Sequence, residues 1–535
     1  MIFSSPGGPI AAALIENGKK VLVEYVTEGD YTVEQAKEIS ADILFYNSNR
    51  LYSLGQSPEK DATTPVSQSE NAASDSMALD AFIKANPEVK YIWMQWLDYT
   101  STPRARMFPL HEFAKIAAQK RHLSLTSVTF VLLQDDRMAS PTAFRAGHFL
   151  MRPDMSSLYA NAGALPSKFQ QPKNATVMAY GYRAEGTPYE LCPRSTLRNI
   201  VDKFQAEHGI SLLCGFEVEF VILKRSLFDE NPLTKVHSWS QNSAEIRSKA
   251  IPILEEIVEC LAQIGIDVEQ FHPESAPAQF ELVLPPSSPV RAVDMLVMTR
   301  QVITDVVDRH SCLATFHPRP FSSAAGSASH SHISISPIGH EKSFLAGMLD
   351  HLPSILAFTL PQDSSYDRVK PGLFAGGVWV AWGTQNKETP IRKITSGRWE
   401  VKTVDGLSNT YLGIAALLAA GHLGIKKRQP LTLNDCQGKV KYYRKVYYTD
   451  HEANHCSMIV DPASLTPEQR REAGITTRLP KNITESLAAL QSDRELQAVL
   501  GKELVQGYAA VKRTEKEMLD CMSSDDRRKW LLERY

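Results

Sequence analysis

Successive side chains of a β-strand point to opposite faces, so a strand with one buried face repeats its apolar residues every second position. Four stretches of this 535-residue chain carry that pattern. In Gly215-Phe216-Glu217-Val218-Glu219-Phe220 the two glutamates share one face and the phenylalanines and valine the other. Gln279 and Glu281 share a face, as do His330, His332 and Ser334, and Arg398, Glu400 and Lys402. The pattern predicts strands over 213–223, 279–284, 329–336 and 399–404, alternating with helical segments over 244–264 and 290–310. The implied fold class is α+β, a mixed sheet with helices. A helix over 191–208, with Pro193 near its first turn and Leu197, Ile200, Val201 and Phe204 at i, i+3, i+4, i+7 spacing, opens this part. Leu496, Leu500, Leu504, Tyr508 and Val511 recur along one long terminal helix.

Ahead of this lies a smaller α+β module, with strands over 92–97 and 107–110 around a turn containing Pro103, and short strands and loops up to about 182. Residues 56–76, rich in Ser, Thr, Ala, Asp and Pro, read as a flexible linker. Before it, Ala36, Ile39, Ile43 and Leu44 have helical spacing, but some fifty residues make a marginal independent core.

Composition narrows the function classes. The net charge of −2 offers no basic field for nucleic acid or anionic lipid, so a small-molecule substrate is the default. Seven cysteines, odd in number and without a Cys-x-x-Cys pair, signal neither a disulfide framework nor a zinc knuckle, which fits a reducing cytosol. The first residues lack a basic n-region and no run approaches ~18 apolar residues, so neither export nor a membrane span is expected, and a cytoplasmic location is.

A polar strand face normally meets water. Here four such faces are rich in Glu, His and Arg, and Glu274 adds a carboxylate just upstream of Pro277. Carboxylates held together repel unless a cation neutralises them, and oxygen-rich sites with an occasional imidazole suit Mg2+ or Mn2+. Divalent metal with arginines nearby also suits phosphoryl transfer. There is no Walker-type glycine loop, so a nucleotide would bind by cavity contacts.

Together with Pro273-Glu274-Ser275-Ala276-Pro277-Ala278-Gln279-Phe280-Glu281, Gly326-Ser327-Ala328-Ser329-His330-Ser331-His332 and Arg398-Trp399-Glu400-Val401-Lys402, the first motif makes the chain resemble the glutamine synthetase family over about 78–535, closest to its fungal FluG-type branch. The resemblance implies a β-grasp domain at 78–185 and a catalytic domain at 186–535 whose antiparallel sheet forms a half-barrel surrounded by helices. It implies ATP- and metal-dependent ligation of glutamate to ammonia or a larger amine through a γ-glutamyl phosphate. Glu219, Glu274 and Glu281 would hold one metal and Glu217, His330 and Glu400 the second. Gly326, Arg368 and Lys402 would bind glutamate. His332, Ser334, Lys387, Arg392 and Arg398 would bind nucleotide or phosphate, and Asp98, Arg368 and Arg392 would act in catalysis, Asp98 on the ammonium. A homo-oligomeric ring with shared active sites follows from the same resemblance.

Several positions depart from the family pattern. Phe374 stands where ammonia users place a glutamate over the ammonium, and an apolar side chain there suits a larger amine. Lys387 and Lys402 replace arginines, keeping charge but losing the bidentate fork. Ala325 and Ala328 replace Asn and Gly. Residues 438–459 interrupt the family-like run and read as a retained intron, their His451, His455 and Cys456 as loop residues. Residues 1–55 resemble the end of an amidohydrolase barrel, too short to retain its metal site. The second reading is a catalytically weak homologue with a regulatory or developmental role, and the third a fragment of a hydrolase–ligase fusion.

Overall fold

The computed structural model describes residues 68–139, 147–161, 173–225, 232–233, 249–372, 374–437 and 461–535. The expectations for 1–55 and for 438–459 fall outside these residues.

The first sheet is built from β1 (Tyr91–Leu97), β2 (Pro103–Pro109), β3 (Leu123–Thr126), β4 (His148–Pro153), β5 (Tyr159–Ala160) and β6 (Asn174–Tyr182), in the order β2-β1-β6-β4-β3 with β5 on β6. Its central pair, β1 and β6, is parallel, and the other pairs are antiparallel. Ile92, Met94 and Val177 are fully buried beneath it. Two expectations are corrected here. Pro103 lies in β2 rather than in the turn, which is tolerable because β2 is the sheet edge and needs no N–H on its outer side. Helix α1 (Gln68–Ala85) takes in the last part of the stretch read as linker, because Leu79, Phe82 and Ile83 reach the core and hold a segment whose composition alone suggests none.

The second sheet runs β12-β13-β14-β11-β7-β9-β8 with β10 on β7, and curls into a half-barrel covered by helices. Its strands are β7 (Ser211–Lys224), β8 (Gln270–Pro273), β9 (Gln279–Val283), β10 (Cys312–Thr315), β11 (Ser331–Ser336), β12 (Trp382–Thr384), β13 (Ile391–Thr395) and β14 (Arg398–Val401). Phe216, Val218 and Phe220 on β7 are at most 1% exposed, so the predicted apolar face is the core face.

Helix α2 (Leu110–Ala117) follows the first sheet's hairpin, and α3 (Pro193–His208) starts on proline and stops at Gly209, whose φ of 61° suits a residue without Cβ. Among the remaining helices are α4 (Ile251–Gln263), α5 (Pro289–Arg309), α6 (Glu341–Asp350), α7 (Leu352–Thr359), α8 (Asp363–Arg368) and α9 (Thr410–Lys426). Thr410 to Ile425 of α9 are buried without a break, as an all-round apolar helix requires. α10 (Pro467–Glu472), α11 (Ile483–Ser492), α12 (Arg494–Leu500), α13 (Lys502–Asp520) and α14 (Ser524–Leu532) complete the chain. The single terminal helix predicted through Leu496 and Val511 is in fact two, because Gly501 adopts φ 100° between α12 and α13. No described helix is long and apolar enough to cross a membrane.

The β1–β2 turn docks on the larger part. Asn409, which caps α9, donates to the Asp98 carbonyl at 2.7 Å, Ser101 Oγ to the Ser408 carbonyl at 3.0 Å, and the Tyr535 hydroxyl to the Thr100 carbonyl at 2.5 Å.

Candidate active site

Strand register assembles the polar face. Glu219 lies opposite Glu281 across β7 and β9, Glu281 opposite His272 across β9 and β8, His332 opposite Glu400 across β11 and β14, and Glu400 opposite Arg392 across β14 and β13. Glu219, His272, Glu281, Arg392 and Glu400 floor a cavity of about 440 Å³, open to solvent, whose walls include Gly326, Arg368, Phe374, Lys387 and Lys402.

Three groupings of potential metal ligands meet there: Glu217, His330 and Glu400; Glu219, Glu281 and His330; and His272, Glu274 and Glu281. The side chains of the second predicted set are thus brought together. The first is divided, since Glu281 joins Glu219 in one grouping and Glu274 in another, with His272 between Glu274 and Glu281. His272 Nε2 is 3.3 Å from Glu281 Oε1 and its Nδ1 is 3.8 Å from Glu274 Oε1.

The charges are unevenly balanced. Glu217 accepts from His330 Nδ1 at 2.8 Å and His332 Nε2 at 2.9 Å; burial opposes its charge, yet these bonds hold its carboxyl far below the usual range. Glu400, also opposed by burial, is held down to about 2 by the Lys402 ammonium at 2.9 Å, and Arg392 Nη1 lies 2.9 Å from its other oxygen. Glu219 is different. Burial and the neighbouring Glu281 and Glu274 charges push it up to about 7, although Gln279 Nε2 and the Ala328 amide both donate to it at 2.9 Å. Burial likewise raises Glu281, with His272 pulling the other way. Facing carboxylates that resist ionisation are what a divalent cation would relieve, and the carboxylate and imidazole donors suit Mg2+ or Mn2+.

Arg368 closes the other side. Its guanidinium is buried, donates through Nη2 to the Lys402 and Val404 carbonyls at 2.9 and 3.3 Å, and leaves Nε without a partner. Gly326 packs against it: a Cβ there would meet Arg368 Cγ at 2.4 Å and the Pro318 carbonyl at 2.5 Å. Phe374, 51% exposed with φ 54°, stands on the rim, and its amide and that of Gly372 donate to Glu388 at 3.0 and 3.2 Å.

Other expected residues lie outside the cavity wall. Ser334 and Arg398 face each other across β11 and β14, two positions along the strands from His332 and Glu400, and Arg398 is exposed. His332 touches the site only through Glu217. Asp98 is fully buried in its own turn, bound by Thr100, the Thr102 amide and Arg104, and its own chain does not bring it to the cavity. His272 and Glu388 went unassigned in the sequence. The signal for His272 was present, since it precedes Glu274 by two residues and shares its face, whereas nothing local marks Glu388. The six cysteines among the described residues are free.

Comparison with known proteins settles the family. The glutamine synthetase catalytic domain matches residues 190–440 and 453–534. The chain belongs to the glutamine synthetase family. The match breaks inside the 438–459 interruption. Protein fluG of Emericella nidulans is 48% identical over 523 residues, 97% of this chain, which spans only 57% of that relative's length. Gamma-glutamylpolyamine synthetase GlnA3 of Streptomyces coelicolor is 29% identical, over 81% of this chain and 91% of its own. Among solved structures, that of a novel glutamine synthase homolog superposes with a TM-score of 0.67 at 25% identity, covering 84% of this chain and 99% of that one. The α+β fold with its curled sheet is that of the family.

Proposed function

We propose that this protein is an ATP- and divalent-metal-dependent ligase that joins the γ-carboxyl of glutamate to an amine larger than ammonia. The observation that carries the proposal is one cavity with opposed demands: Glu219 and Glu281 on the floor call for a cation, and the buried guanidinium of Arg368, with Nε unsatisfied, calls for an anion.

Glu219, Glu274 and Glu281 would hold the metal, which when bound supplies positive charge against the phosphate oxygens of ATP and the carboxylate being phosphorylated. Arg368 binds the glutamate carboxylate, and Gly326, lacking a Cβ, lets the Arg368 side chain pack against its backbone. Lys387 and Arg392, both on the cavity wall, bear on the transferred phosphoryl group. The γ-carboxylate attacks the terminal phosphorus, ADP leaves, and the amine displaces phosphate from the acyl phosphate. Phe374 replaces charge with apolar surface at the rim, which suits the carbon chain of an alkylamine or polyamine better than a desolvated ammonium. The GlnA3 similarity points the same way. A homo-oligomeric ring is part of the proposal.

ADP release should depend on glutamate and Mg2+ or Mn2+ and run faster with alkylamines or polyamines than with ammonium. Preference for ammonium would overturn the acceptor assignment. Glu281→Gln should lower the rate by about 100-fold or more, and an unchanged rate would overturn the ligase reading.

A further inference from the structure

Lys402 is 3% exposed, and its ammonium has two partners in the predicted second metal set. It lies 2.9 Å from Glu400 Oε1 and 3.2 Å from His330 Nε2. An ammonium can only donate, so His330 Nε2 accepts and the ring proton sits on Nδ1. That nitrogen then donates to Glu217 Oε2 at 2.8 Å, and it also lies 3.6 Å from Glu400 Oε1 and 3.7 Å from Glu219 Oε1. In this arrangement neither ring nitrogen offers a metal a lone pair. Nδ1 carries the proton, and Nε2 is taken by the lysine.

Charge gives the same result independently. The carboxylates of Glu217 and Glu400 are matched by Lys402 and Arg392 together with the two histidine donors. Among the described residues neither lysine nor arginine forms an ion pair with Glu219 or Glu281. Glu281 has His272 Nε2 at 3.3 Å, so the unmet demand for a cation is concentrated at Glu219, which faces it.

We propose that Lys402 is a tethered cation that occupies the second metal position, so that the nucleotide-free protein takes one divalent ion per chain. The inference rests on the proposed metal dependence. It also gives the arginine-to-lysine exchange a consequence: the compact ammonium of a lysine fits between Glu400 and His330, where a planar guanidinium presents a fork.

The test is Mn2+ binding to the full chain without nucleotide, counted from the EPR signal of free Mn2+ and by calorimetry. Wild type should bind one ion per chain, and Lys402→Met, which removes the charge and keeps the bulk, should bind two. Adding Glu400→Gln to Lys402→Met should return the count to one. Lys402→Gln is the second variant should the methionine fail to fold. Two ions in wild type, or one ion in both folded Lys402 variants, would overturn the proposal while leaving the metal reading standing. No binding by any of these proteins would remove the metal reading itself, and this inference with it.

Discussion

At the scale of single residues, the site depends on how each carboxylate is neutralised. Glu219 is pushed up to about 7, so below that pH it carries a proton that a metal must displace, and above it the carboxylate is ready to bind. Mn2+ affinity should therefore rise from pH 6 to pH 8, with proton release below pH 7 that calorimetry in buffers of different ionisation enthalpy would register. A flat profile would show that Glu219 is already ionised in the free site. His272 belongs in the same account. The Glu281 bond raises it to about 9 despite burial, so it enters the site as a cation at neutral pH.

Among the elements, two joints carry specific expectations. Helices α6 and α9 cross at glycine. A Cβ on Gly347 would stand 2.2 Å from the Ala420 carbonyl and 2.8 Å from Gly424 Cα, and backbone cannot give way as a flexible side chain can. Gly347→Ala should cost about 1–3 kcal/mol or more, read as a lower midpoint in urea; an unchanged midpoint would mean that the helices separate freely. The second joint is the loop before Phe374, held from below by Glu388 through two backbone amides. Glu388→Ala should release that loop and raise KM for the amine more than it lowers kcat, whereas a purely structural role would alter neither ratio nor amine preference.

For the described molecule from Ala72 to Tyr535, which forms one compact unit, stability depends on buried ionic links between distant parts of the chain. Arg194 on α3 is bound by Asp294 on α5 through two bonds of 3.0 and 2.6 Å, nearly sealed from water, and by the partly buried Asp154 at 2.6 Å. It also stacks 3.9 Å from the Tyr180 ring centroid of β6, so one guanidinium joins the small sheet to the helices of the larger part. Arg194→Ala would leave the buried Asp294 carboxylate without its cation and should cost about 3–5 kcal/mol, measured by denaturant unfolding. A loss under ~1 kcal/mol would show that water reaches the gap.

The sequence by itself determined which residues could share a face. Period-two alternation is enforced by local backbone geometry, so Glu217 with Glu219, Gln279 with Glu281, and the apolar Phe216, Val218 and Phe220 could be sorted without knowing any neighbour. The motifs in order then pointed to the family and to the carboxylate and histidine set. Only the tertiary structure decided which faces meet. Strand order and register join residues dozens of positions apart, and they placed Glu219 against Glu281 and His272 beside it, while leaving Ser334 and Arg398 off the cavity wall. Burial, which raises Glu219, seals Asp98 and presses Lys402 onto Glu400 and His330, is a property of everything packed around a residue, and no stretch of sequence contains it.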